Sequence, residues 1–107
     1  MQRVTFVRYA AKPDRADENE ALSRAVFAEL RERRTAGVAY AVCRTGDEFV
    51  HVFINFNADE AGSVTDLASF KAFAAEGPDR HAAPAEIVRL GVNVIEAYGF
   101  ERALAPA

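Results

Sequence analysis

The chain has 107 residues, 50% of them apolar, 10% aromatic and 27% charged, with a formal charge of −3 from 16 acidic and 13 basic residues. That length fits one compact domain spanning 1–107 and excludes a second, and the scattered basic residues, densest at Arg31 to Arg34 with Glu32 among them, argue against a grip on nucleic-acid phosphates. Cys43 is the sole cysteine, so no intramolecular disulfide is expected; no signal-peptide core and no run of about 18 apolar residues is present, so a cytoplasmic location away from membranes is expected.

In chain order, Arg3 to Ala10 is rich in β-branched and aromatic residues and stops at Pro13, which predicts a first strand. Leu22, Val26 and Leu30 then recur at helical spacing, predicting a helix capped by Asp14 or Asp17 and ending near Arg33. Gly37 opens a second strand, and Gly46-Asp47 is turn chemistry that joins it as a hairpin to a third, Glu48 to Phe56. A second helix carries Leu67, Phe70 and Phe73 or Ala74 on one face and stops at Gly77-Pro78. After a connection through "DRHAAPAE", with room for one short helical turn, Glu86 to Phe100 reads as a long final strand, followed by a frayed tail from Ala103.

The order βαββαβ predicts an α+β, ferredoxin-like antiparallel sheet with both helices on one face. A hairpin turning at Gly46 pairs even positions of the second strand with odd positions of the third, which separates two sets of side chains. One set is Ala39, Ala41 and Cys43 with Val50, Val52, Ile54 and Phe56. Its small and aliphatic character assigns it to the helix side, with Cys43 an inert buried thiol there. The other set, Val38, Tyr40, Val42 and Arg44 with Phe49, His51, Phe53 and Asn55, then falls on the helix-free side. The last strand contributes Val88, Leu90, Val92 and Val94 to the first set and Ile87, Arg89, Gly91, Asn93 and Ile95 to the second. For the first strand both Val4, Phe6, Arg8 and Thr5, Val7, Tyr9 remain open.

A helix-free face that carries Tyr40, Phe49 and Phe53 is too apolar for water, and with His51, Arg44 and Asn55 too polar for ordinary core. Such a face lines a pocket or an interface, and two copies facing each other close it into a barrel with a cavity. The passage "RYAAKPDRADENEALSRAVFAEL", the strand "GVAYAVCR" and "SFKAFA" before the final strand resemble the dimeric α+β barrel superfamily, that of the antibiotic-biosynthesis-monooxygenase-like domains, over nearly the whole chain. The resemblance implies a homodimer and, among functions, cofactor-independent oxygenation of an aromatic or phenolic molecule in the barrel cavity; a non-catalytic dimeric module that binds a small ligand is the alternative. Family members that form quinones bind the substrate anion with Asn, Trp, Tyr and Arg; this chain has no tryptophan, so Asn55, Tyr40 and Arg44 match that set in residue type only.

The candidate site is therefore His51 and Asn55 for catalysis, with Tyr40, Arg44, Phe49, Phe53 and Asn93 for ligand binding. An imidazole among aromatic walls can accept a phenolic proton, although an equally ordinary role is structural, hydrogen-bonded across the strand or the dimer. Arg44 over Phe49 suits an anion at the cavity mouth or a cross-strand contact. No metal and no cofactor is expected, because the histidines lack ligand spacing and His81 lies beyond the Gly77-Pro78 break, a poor place for a haem ligand. An open sheet stacking bases on Phe49 and Phe53 is a third reading, disfavoured by the acidic charge and the missing basic-glycine-aromatic motif.

Overall fold

A computed structural model of the protein describes residues 1–60 and 62–99. Strand β1 (Gln2–Ala10) leads through a 3-10 turn (Pro13–Arg15) into helix α1 (Ala16–Arg33), followed by the hairpin β2 (Val38–Thr45) and β3 (Glu48–Asn55). A 3-10 turn (Ala58–Glu60) and three short helices, α2 (Gly62–Thr65), α3 (Ala68–Ala75) and α4 (Gly77–Arg80), precede β4 (Glu86–Val92). The four strands form one antiparallel sheet in the order β2-β3-β1-β4, the arrangement expected of a ferredoxin-like chain.

The local chemistry accounts for the breaks. Gly46 at φ +60 is the first residue of a two-residue turn between the paired Thr45 and Glu48, a position that asks for a left-handed backbone when the strands twist to the right. Helix α1 closes at Arg34, which takes a left-handed conformation (φ 51) so that Thr35 N–H can reach Leu30 O. No side chain caps its start: of the two expected caps, Asp14 lies within the 3-10 turn that Pro13 begins, and Asp17 accepts a hydrogen bond from Arg44. Glu29 of α1 accepts from both the backbone N–H and the hydroxyl of Ser69, satisfying an early donor of α3 from outside it. The final strand is shorter than its sequence pattern suggests. It ends at Val92, with Asn93 to Ile95 exposed beyond it; Phe100 and the tail lie outside the described residues.

The parity of the hairpin is as expected, but the helices cover the other set. Tyr9, Phe49, Phe53, Val26, Val64, Leu67 and Phe73 make one buried cluster, so the side of the sheet that holds His51 is the helix side. The reason lies in complementary volumes: α1 buries only Ala16, Asn19, Ser23 and Val26, and these short side chains leave the depth that long aromatic residues of the strands fill. Along β1 it is Thr5, Val7 and Tyr9 that share this face, opposite Phe53, His51 and Phe49. The helix-free face instead carries Phe6, Val88 and Leu90, each with about half its surface in water, together with Val4, Val52 and Ile54, which are in register with them. Cys43 lies on this side and is exposed, not buried.

Candidate functional site

Strand β3 alternates strictly, so that Phe49, His51, Phe53 and Asn55 are all buried and the residues between them are not. This places His51 at the centre of the layer between sheet and helices, where both ring nitrogens meet phenols. Tyr9 Oη lies 2.8 Å from Nε2 and Tyr40 Oη 2.6 Å from Nδ1. Tyr9 Oη also accepts from Asn19 Nδ2 at 2.8 Å, and Asn19 Oδ1 accepts from Arg80 Nε at 3.0 Å. Arg80 is fully buried, donates to the Phe73 carbonyl, and sits 5.0 Å over the Phe73 ring.

The hydrogen positions of this chain follow from its end. A guanidinium only donates, so Asn19 presents its oxygen to Arg80 and its NH2 to Tyr9. Tyr9 then gives its own hydrogen to His51 Nε2, and His51 Nδ1–H points to Tyr40. Burial, with a smaller repulsion from His81, holds His51 down at about 4, so at neutral pH it is an uncharged imidazole. Burial likewise raises both tyrosines above the ordinary phenol value, keeping them protonated. His81 stacks on Tyr9 at 3.9 Å, and its own value is lowered by burial and by Arg80.

Beside this layer a cleft of about 510 Å³ opens between the β1 and β4 side of the sheet and helices α2 and α3. Phe53 and Phe70 supply its apolar walls, Asn55, Thr5 and Thr65 its uncharged polar groups, and Arg3 and Arg89 its charges. Such a volume suits a small organic ligand. Asn55 is buried, and its amide nitrogen has only a 3.5 Å contact to Ser63 Oγ. His51 does not line the cleft; it lies behind Val7, its cross-strand partner, and Phe53.

The structure thus brings together Tyr40, Phe49, His51, Phe53 and Asn55, but between sheet and helices and not in a cavity between two sheets. Arg44 lies outside the cleft: it donates to Asp17, Glu20 and the Gly46 carbonyl, lies 5.4 Å over Phe49, and with Phe49 lines a separate groove between α1 and the hairpin. Asn93 stands exposed past the end of β4 and touches no part of the cleft. Sequence reasoning missed Asn19, which looks like an ordinary helix residue, and Arg80, in a segment that reads as a connection. Tyr9 was one of two alternatives; a pairing of its parity with Phe49 was the signal that would have selected it. With Phe49 and Phe53 under the helices, base stacking on an open sheet loses its basis. Among the described residues no three His, Cys, Asp or Glu side chains gather to hold a metal ion, and no helix is long and apolar enough to cross a membrane.

No family model matches the sequence, and no curated protein matches it significantly. Solved structures do match. A candidate antibiotic biosynthesis monooxygenase from Nitrosomonas europaea superimposes with a TM-score of 0.74 at 17% identity, covering 90% of this chain and 94% of that one. Rv0793 from Mycobacterium tuberculosis gives 0.76 at 17% identity, over 92% and 100% of the two chains. A further candidate antibiotic biosynthesis monooxygenase, from Caulobacter crescentus CB15, gives 0.72 at 18% identity over 86% and 91%. TM-scores of 0.72 to 0.76 over nearly the whole of both chains lead to one conclusion: this chain shares the α+β, ferredoxin-like fold of these structures, two of them candidate antibiotic biosynthesis monooxygenases.

Proposed function

We propose that the protein is a homodimeric, monooxygenase-like enzyme that takes an aromatic or phenolic small molecule into the cleft beneath α2 and α3. The observation that carries this reading is the composition of that cleft, where Phe53 and Phe70 face a ring-sized space and Asn55 offers an underused amide donor at its wall. An amide donor aimed at a phenolic oxygen favours the anion, and an electron-rich phenolate reacts with oxygen without a cofactor. One oxygen atom ends on the ring as a quinone carbonyl and the other leaves as water. His51 serves the framework in this scheme: locked between Tyr9 and Tyr40, it fixes the aromatic layer behind Phe53.

The second copy covers the helix-free face of Phe6, Val88 and Leu90, which is too large an apolar surface to leave in water. Oxygen uptake with a set of naphthols and dihydroxynaphthalenes tests the enzymatic part. Uptake by the wild type that disappears in Asn55→Ala, with an unchanged circular dichroism spectrum, is the expected outcome. Calorimetric binding without uptake would instead establish a non-catalytic ligand-binding dimer, a reading favoured by the fact that both nitrogens of His51 are already occupied. Neither uptake nor binding would sink both.

A further inference from the structure

The arginines of this chain are mostly spoken for. Arg8, Arg15, Arg24, Arg33 and Arg44 each pair with a carboxylate, and Arg80 is held by Asn19 and the Phe73 carbonyl. Among the described residues Arg3, Arg31, Arg34 and Arg89 have no side-chain hydrogen bond or ion pair; Arg31 lies over the Phe27 ring and Arg34 ends α1, whereas Arg3 and Arg89 both line the cleft beneath α2 and α3. They come from adjacent strands. Arg3 stands opposite Gly91 and Arg89 opposite Thr5, so the two are diagonal neighbours on the helix side of the β1-β4 pair. Diagonal cross-strand residues lie within reach of long side chains, and among the described residues no acidic side chain lines the cleft to neutralise them.

Two like charges at one concave surface repel each other unless a counter-charge joins them. Guanidinium groups have a planar fork of donors that matches a carboxylate in two-point contact. Gly91 opposite Arg3 presents no side chain of its own there, although Met1 Sδ lies 2.8 Å from where a Cβ would stand, so that position is overlaid by a flexible apolar group. Phe53 and Phe70 form the wall beyond the arginines. We infer that the natural ligand of this cleft is an aromatic carboxylate, its carboxylate bridging Arg3 and Arg89 while its ring lies against Phe53 and Phe70. This rests on the cleft being the ligand site, and adds a negatively charged group that a plain phenol lacks.

Calorimetry with 1-hydroxy-2-naphthoate, its methyl ester and 1-naphthyl phosphate tests it on the 107-residue protein. The acid should bind at least about tenfold more tightly than the ester, the size of effect expected for a charge-assisted contact, and the preference should shrink in added salt. Arg3→Gln and Arg89→Gln, with unchanged circular dichroism spectra, should each weaken binding of the acid much more than that of the ester, narrowing the gap between them. Equal binding of acid and ester, or an acid affinity unaffected by both variants, would overturn the carboxylate while leaving the cleft as the ligand site. A tenfold or greater preference for the phosphate would assign the arginines to a phosphoryl group instead; binding of none of the three would remove the cleft itself as the site.

Discussion

At the scale of single residues the buried chain Arg80, Asn19, Tyr9, His51 and Tyr40 is the feature with the largest consequences. Each member satisfies the next, so the loss of one leaves a desolvated partner behind. Tyr9→Phe removes an acceptor from Asn19 and a donor from His51, and should cost about 1–3 kcal/mol in urea unfolding; Tyr40→Phe, at a half-buried position with one bond to His51, should cost about 1 kcal/mol. His51 also couples folding to pH. Its value is pulled by burial from 6.5 to about 4, so between those values the unfolded chain binds a proton that the folded one refuses. Stability is therefore complete above the unfolded value and falls as pH drops toward the folded one. Going from about pH 7 to about pH 5 should lower unfolding free energy by roughly 2 kcal/mol through this residue alone. His81, lowered by burial and Arg80, adds in the same direction. A His51→Phe variant, less stable at neutral pH, should lose most of this pH dependence; an unchanged slope would show that another group carries it.

At the scale of elements, the second half of the chain differs most from a simple pattern of alternating strands and helices. A single amphipathic helix is replaced by α2, α3 and α4, because Leu67 takes an extended conformation before α3 and Gly77-Pro78 restarts a turn that the backbone of Glu76 has already left. That last turn buries Arg80, so an element of four residues positions the charged end of the polar chain. Helix α1 ends less comfortably. Arg34 holds a left-handed conformation (φ 51), which brings the Cβ of an L residue too close to the backbone carbonyl. Arg34→Gly should stabilise the protein by about 1 kcal/mol, seen as a higher urea midpoint with an unchanged m-value. No gain would mean that the entropy lost by the added glycine offsets the relieved strain.

At the scale of the whole molecule the two faces of the sheet have opposite fates. One is sealed by helices over aromatic and polar residues, and the other exposes Phe6, Val88 and Leu90. If a second copy covers that face, Leu90→Asp should convert a dimer into a folded monomer in light scattering, since Leu90 is about half exposed in the single chain and its replacement leaves the core alone. A wild-type monomer would dismiss the dimer. It would leave the cleft untouched, because the cleft lies on the opposite side of the sheet.

The element order, the hairpin turn and the sets of side chains that travel together are legible along the chain, because period-two alternation and turn chemistry are local and depend on no distant partner. The same alternation singles out His51, Asn55, Tyr40 and Phe53 as one face. Which face meets the helices is settled by packing between distant segments. That choice depends on how side-chain volumes on α1 and α3 complement those on the strands, and the short buried residues of α1 favoured the aromatic set over the aliphatic one. The same step decided the fate of the polar groups. Arg44 found carboxylates on α1, Arg80 was folded into the core beside Asn19, and Arg3 and Arg89 came together in one cleft with no side-chain partner among the described residues, outcomes that depend on residues far apart in the chain meeting in space.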